Sequence, residues 1–161
     1  MRELLGIHLS KNTVERVAEA MGKRVKEERQ AREKAVLSGQ VESPSQGPKR
    51  LYVGIDGTGV PMRGGGTHEA KTGVIYETLE REGKTEIRNA QYLATLERVE
   101  SFGEQVYAAA FARGVENAGE VVALGDGAAW IWRSFAHHYP EAVEILDFYH
   151  ASEHLNEVAR A

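Results

Sequence analysis

Two aspartates stand where carboxylates do metal chemistry. Asp56 closes the run Leu-Tyr-Val-Gly-Ile-Asp-Gly-Thr-Gly that begins at Leu51, and Asp126 closes Val-Val-Ala-Leu-Gly-Asp-Gly-Ala from Val121. Each is a short apolar stretch, then Asp, then Gly. A carboxylate there leaves a buried strand and meets solvent at a sheet edge. Two such carboxylates at one edge can hold Mg²⁺ or Mn²⁺, which prefer hard oxygen ligands. Their chemistry is phosphoryl transfer, in which two ions about 4 Å apart activate the attacking oxygen and stabilise the departing one. The plainer reading is that Asp-Gly marks two turns.

Other residues offer weaker chemistry. Asp147 ends a third apolar run, and can support the site or cap the helix after it. His150 and His154 share one helical face at a spacing of four, as metal ligands do. Without cysteine or a clear third ligand, packing or capping is the simpler reading, and a supporting place near the aspartates is the functional one. Arg63 and Lys71 flank a glycine triplet that can approach a phosphate backbone closely; a hairpin connection explains the glycines equally well. His137 and His138 read as surface cations at a helix C-terminus. Trp130 and Trp132 are two apart, so one should pack on the sheet and the other lie at a rim, with base stacking as the alternative.

The elements that position these residues fall into three zones. Residues 1–37 form a helical segment, with Val14, Val17, Ala18, Met21 and Val25 on one face and an Asn12–Glu15 capping pair. Polar Lys11, Asn12, Thr13 and Arg16 suit the second helix of a partial helix-turn-helix facing a DNA groove; the alternative is a lone amphipathic helix. Residues 38–50, rich in Gly, Ser, Pro and Gln, read as a linker. From residue 51 a compact pattern begins. Strands are expected over Leu51–Asp56, Thr72–Glu80 and Glu86–Leu96, the last two joined by a turn at Glu82-Gly83-Lys84. A helix over Ser101–Arg113, a strand over Glu120–Leu124, a helix over Ala128–His138, a strand over Val143–Leu146 and a helix from Ala151 follow.

Three strands, then helix, strand, helix, strand, helix is the order of an RNase H-like α/β fold. It predicts a mixed five-stranded sheet flanked by helices, its first three strands antiparallel. In that fold the first and fourth strands are neighbours, which brings Asp56 beside Asp126 across seventy positions.

The chain has 161 residues, a net charge of −4 and no cysteine. One domain with an appendage fits that length. The charge argues against simple duplex coating. Lack of cysteine excludes thiolate chemistry and suits a reducing cytoplasm. No apolar run matches a membrane span.

Three blocks carry a family resemblance: Gly54-Ile55-Asp56-Gly57-Thr58-Gly59-Val60-Pro61-Met62, Leu124-Gly125-Asp126-Gly127-Ala128-Ala129-Trp130-Ile131, and Leu146-Asp147-Phe148-Tyr149-His150-Ala151-Ser152-Glu153-His154-Leu155. In this order they resemble bacterial insertion-sequence DDE transposases of the ISKra and Mutator-like kind, from about Lys49 onward. The resemblance implies metal-dependent DNA cleavage and strand transfer. It implies Asp56 and Asp126 as catalytic ligands of Mg²⁺ or Mn²⁺, element ends and target DNA as partners, and a homo-oligomeric full-length parent. The family's helical Glu has no place here, since Glu153 and Glu157 follow the third block too soon. The chain therefore reads as a fragment truncated before its third acid, inactive alone. A remnant that binds DNA or a partner without cutting is the alternative. Haloacid-dehalogenase phosphatases and actin-like kinases share pieces of the first block and fail on spacing: Gly54 stands where the former need Asp, and the latter put one more residue between Asp and Gly-Thr.

Overall fold

The computed structural model describes residues 10–160, without the side chains of 153–155, 157, 158 and 160. Two compact units divide the chain. One holds helix α1, Lys11–Leu37, and the other runs over Val41–Ala161.

Helix α1 is capped by Ser10, not by the expected Asn12–Glu15 pair. Ser10 is extended and its Oγ accepts the Thr13 N–H at 3.1 Å. A hydroxyl at the residue before the first turn reaches that N–H, whereas Asn12 is already helical. The charged half is tied by i,i+4 pairs, Lys23–Glu27 at 3.9 Å and Arg24–Glu28 at 2.9 Å. Both are exposed, so each adds only a few tenths of a kcal/mol. Val14, Val17, Met21 and Val25 are all exposed.

The second unit is a mixed α/β structure around one five-stranded sheet, in the order β3-β2-β1-β4-β5. Strand β1 (Leu51–Pro61) pairs antiparallel with β2 (Thr67–Arg81), and β2 pairs antiparallel with β3 (Lys84–Thr95). On its other side β1 pairs in parallel with β4 (Val121–Gly125), and β4 with β5 (Val143–Leu146). This is the strand order expected of an RNase H-like sheet. The β2–β3 turn uses Glu82 and Gly83, both at positive φ (53° and 73°), as a two-residue hairpin requires. Helices α2 (Val99–Phe111), α3 (Ala129–His138) and α4 (Phe148–Arg160) complete the order, with a short 3-10 turn at Val115–Asn117.

Alternation along β1 decides which residues face the helices. Leu51, Val53 and Ile55 are buried, with Ile75 and Leu93 beside them and Phe102, Val106, Ile131 and Phe135 from α2 and α3 above. Each such side chain, fully buried, stabilises the fold by about 1.5–3 kcal/mol. The alternate residues Tyr52, Gly54 and Asp56 face the other way. Tyr52 stacks there on Tyr76, ring centroids 4.8 Å apart.

Helix α2 ends at Phe111, two residues before the expected end at Arg113. Arg113 pairs with Glu77 and donates to the Asn89 carbonyl at 2.7 Å. It thereby holds the register shift between β2 and β3 after Ile75. Gly114, at φ 77°, turns the chain out of α2.

The Gly- and Pro-rich stretch before β1 is pinned to this unit. Asn117 Nδ2 donates to the Pro44 carbonyl at 2.8 Å, and Gly119 N to the Pro48 carbonyl at 3.0 Å. Gly47 lies against backbone atoms of Gly114, Asn117 and Ala118, where a Cβ has no room.

Among the described residues no helix is long and apolar enough to cross a membrane.

Candidate functional site

The parallel pair β1–β4 runs in register from Leu51↔Val121 to Gly54↔Leu124. Asp56 and Asp126 therefore each stand two residues past the last rung, at the same end of neighbouring strands. The pair β4–β5 ends at Gly125↔Leu146, one residue before Asp126 and Asp147. Asp147 N donates to the Gly125 carbonyl at 2.8 Å, which fixes the third aspartate beside the second strand. One cavity of about 530 Å³ is lined by Asp56, Asp126, Asp147 and His150, with Thr72 and Tyr92 among its other walls.

Asp56 does not end its strand. β1 continues for five residues beyond it, paired with β2 up to Pro61↔Thr67. What ends near Asp56 is the pairing with β4, and that opens the sheet at the carboxylate. Gly57 and Gly59 have low strand propensity, so the sequence reads as a turn where the chain stays extended.

All three carboxylates spend Oδ1 on a backbone N–H: Asp56 on Gly57 (2.7 Å), Asp126 on Ala128 (2.8 Å) and Asp147 on Tyr149 (2.7 Å). Asp147 also accepts the His150 N–H at 3.4 Å and so caps α4, which starts at Phe148 rather than Ala151. Among the described residues no hydrogen bond engages the Oδ2 atoms of the three aspartates. As a donor set, three carboxylate oxygens at one sheet end suit a hard divalent cation. They are not drawn into a cage: among the described residues no group of three or more His, Asp or Glu is placed to hold one ion.

The remaining residues separate. His150 stands in the first turn of α4 and lines the cavity; the side chain of His154 lies outside the described residues. Arg63 is exposed at the β1–β2 tip. Lys71 faces the helix side, 8% exposed, with Nζ 3.3 Å from Glu69. Lys11 and Arg16 are exposed on α1; the residues that would form the first helix of a helix-turn-helix lie outside the described ones. Both tryptophans touch the sheet, contrary to the one-in, one-out expectation. Gly57 leaves room for Trp130, and Gly125 lies under Ile131 with Trp132 in ordinary contact beside it.

His138 is likewise not a surface cation. Its ring stacks on Tyr107 at 5.4 Å and closes over Gly103. Burial, with His137 adding like charge, pushes its pKa down to about 4, so the imidazole is neutral at pH 7. Burial and a hydrogen bond to Glu116 raise the Tyr107 hydroxyl to about 12.

A mixed sheet of this order, with Asp56 just past the last β1–β4 rung and Asp126 and Asp147 just past β4 and β5, defines an α/β protein with three aspartates at one end of its parallel strands. The chain belongs to the uncharacterised protein family UPF0236, whose model matches residues 6–161. No curated protein matches it.

Proposed function

We propose that this chain carries the first part of a DDE-type DNA transposase site, with Asp56 and Asp126 as ligands of Mg²⁺ or Mn²⁺. The observation that supports this reading is the sharing of one cavity by Asp56, Asp126 and Asp147. The bound ion would supply an activated attacking oxygen and charge stabilisation at the scissile phosphate. The protein's part is placement. β1 and β4 set the first two carboxylates, and a backbone N–H group holds one oxygen of each. Asp147 adds a third carboxylate, and His150 a donor beside it. The three blocks around these residues also resemble insertion-sequence transposases. On this reading DNA is the substrate, and the transposase works as a homo-oligomer.

The test has two parts. Mn²⁺ binding, followed by the loss of its free-ion paramagnetic resonance signal, should weaken at least tenfold in both Asp56→Ala and Asp126→Ala. Cleavage of element-end DNA should need the ion and both aspartates. Mn²⁺ binding that both variants retain would sink the site. Binding without cleavage, in this chain and in longer versions alike, would favour a remnant that holds DNA or a partner.

A further inference from the structure

We propose that the free end of the β1–β2 hairpin is a DNA-reading ribbon that enters the major groove of a duplex held at the aspartates. This rests on the DNA reading above and names the part of the chain that grips the duplex.

Pairing of β1 with β4 stops at Gly54↔Leu124, and pairing of β2 with β3 begins at Lys71↔Thr95. Between those limits and the tip, the rungs Thr58↔Ala70, Gly59↔Glu69, Val60↔His68 and Pro61↔Thr67 have no third strand. Four rungs make a bare ribbon roughly 13 Å long, rising from the rung next to Asp56↔Thr72. A major groove about 12 Å wide and about 8.5 Å deep admits such a two-stranded ribbon.

The ribbon is thin and open at its end. Gly64, Gly65 and Gly66 hold φ of 97°, 99° and 84°, and a Cβ on any of them would meet nothing within 4 Å. Arg63 and His68 are exposed. Its one carboxylate, Glu69, is paired to Lys71, and among the described residues the exposed Arg63 has no ion pair, in a chain whose net charge is −4. The root, by contrast, is held. Lys71 is buried, and Gly57 packs under Trp130 at the start of α3. A fixed root and a slim basic tip, beside the aspartates, suit a groove better than a flat surface.

The measurement is fluorescence anisotropy on a 30-base-pair DNA duplex and an RNA duplex of the same sequence, across salt concentrations. A chain in which Asn-Gly replaces residues 58–70 should lose at least tenfold in DNA affinity. Arg63→Ala should lower the salt slope by about one. RNA should bind more weakly, because its major groove is too deep and narrow to enter. Equal binding by the shortened chain, equal binding to RNA, or no duplex binding at all overturns the ribbon. Mn²⁺ titration of the same samples reports on the aspartates separately, so either reading can fail alone. If the shortened chain does not fold, Thr67→Cys carrying an iron–EDTA cleavage agent decides. The chain has no other cysteine to label. Cuts facing the major groove are expected, and background cleavage alone overturns the proposal.

Discussion

Asp126 and Asp147 each start the chain toward a helix with the same contact: Oδ1 accepts the N–H two residues on, at 2.8 Å from Ala128 and 2.7 Å from Tyr149. The same carboxylates line the candidate metal cavity. The observed cap and the proposed ligand role therefore meet in the same two side chains, and the choice of substitution separates them.

Asp147→Asn keeps an oxygen for the cap and removes the charge. It should leave stability within about 0.5 kcal/mol, whereas Asp147→Ala should lose about 1 kcal/mol through the lost cap. Urea unfolding measures both. If Asp147 is also a ligand, Mn²⁺ affinity falls in both variants; unchanged affinity in Asp147→Asn would leave it a cap alone.

Gly47 and Gly22 should respond in opposite directions to alanine. A Cβ at Gly47 falls on the backbone of Asn117 and Ala118, so Gly47→Ala should cost about 3 kcal/mol. Gly22 is interior to α1, with nothing within 4 Å of an added Cβ, so Gly22→Ala should gain about 0.5–1 kcal/mol of helix stability. Urea midpoints for the first and the thermal loss of far-ultraviolet helix signal for the second read the two effects. A tolerated Gly47→Ala would mean that the 41–50 stretch does not hold this packing.

Acid should weaken the fold through His138. Its folded pKa of about 4 lies below its ordinary value of 6.5, so the unfolded chain binds the proton more readily in between. The stability this histidine withholds from the unfolded state is present above pH 6.5 and is lost as pH falls toward 4. The half-buried ring is partly screened, which reduces the effect. His138→Gln should flatten the urea-midpoint profile between those pH values relative to the parent. Parallel profiles would show that the ring titrates normally.

Lys71 should matter for folding and not for DNA. Its ammonium is buried beside Glu69, so Lys71→Met should shift the urea midpoint while the salt dependence of duplex binding keeps its slope. A slope reduced by about one would instead place Lys71 on a phosphate.

Strand order was legible because apolar runs, Gly stops and the Glu82-Gly83 turn alternate with helical spacing, and none of those signals depends on distant contacts. The adjacency of the strands bearing Asp56 and Asp126 came from matching that order to an RNase H-like fold, in which the first and fourth strands are neighbours. The length of β1 did not, because Gly57 and Gly59 carry no strand preference and only pairing with β2 keeps them extended. Trp130 and Trp132 misled for a related reason. Spacing on a helix says which way each ring points, but not that Gly57 leaves room for Trp130 while Trp132 still packs beside Gly125. His138 looked like a dipole-stabilised cation because helix position is visible in sequence, while the Tyr107 ring that covers it is not.

The central β1–β4 pair sets an order of events during folding. β1, β2 and β3 are joined by tight turns and can zip up from nearby parts of the chain, whereas Leu51 must wait for Val121, seventy residues later, before the parallel rungs close. Loop-closure entropy makes such distant pairings slow. The hairpins are thus expected to gain hydrogen-exchange protection first, and the amides of Val122–Leu124 later. Asp56 would be presented early on a formed meander, and its partner carboxylate would arrive only as the last long loop closes. Pulse-labelling that protects β4 before β2 would reverse that sequence.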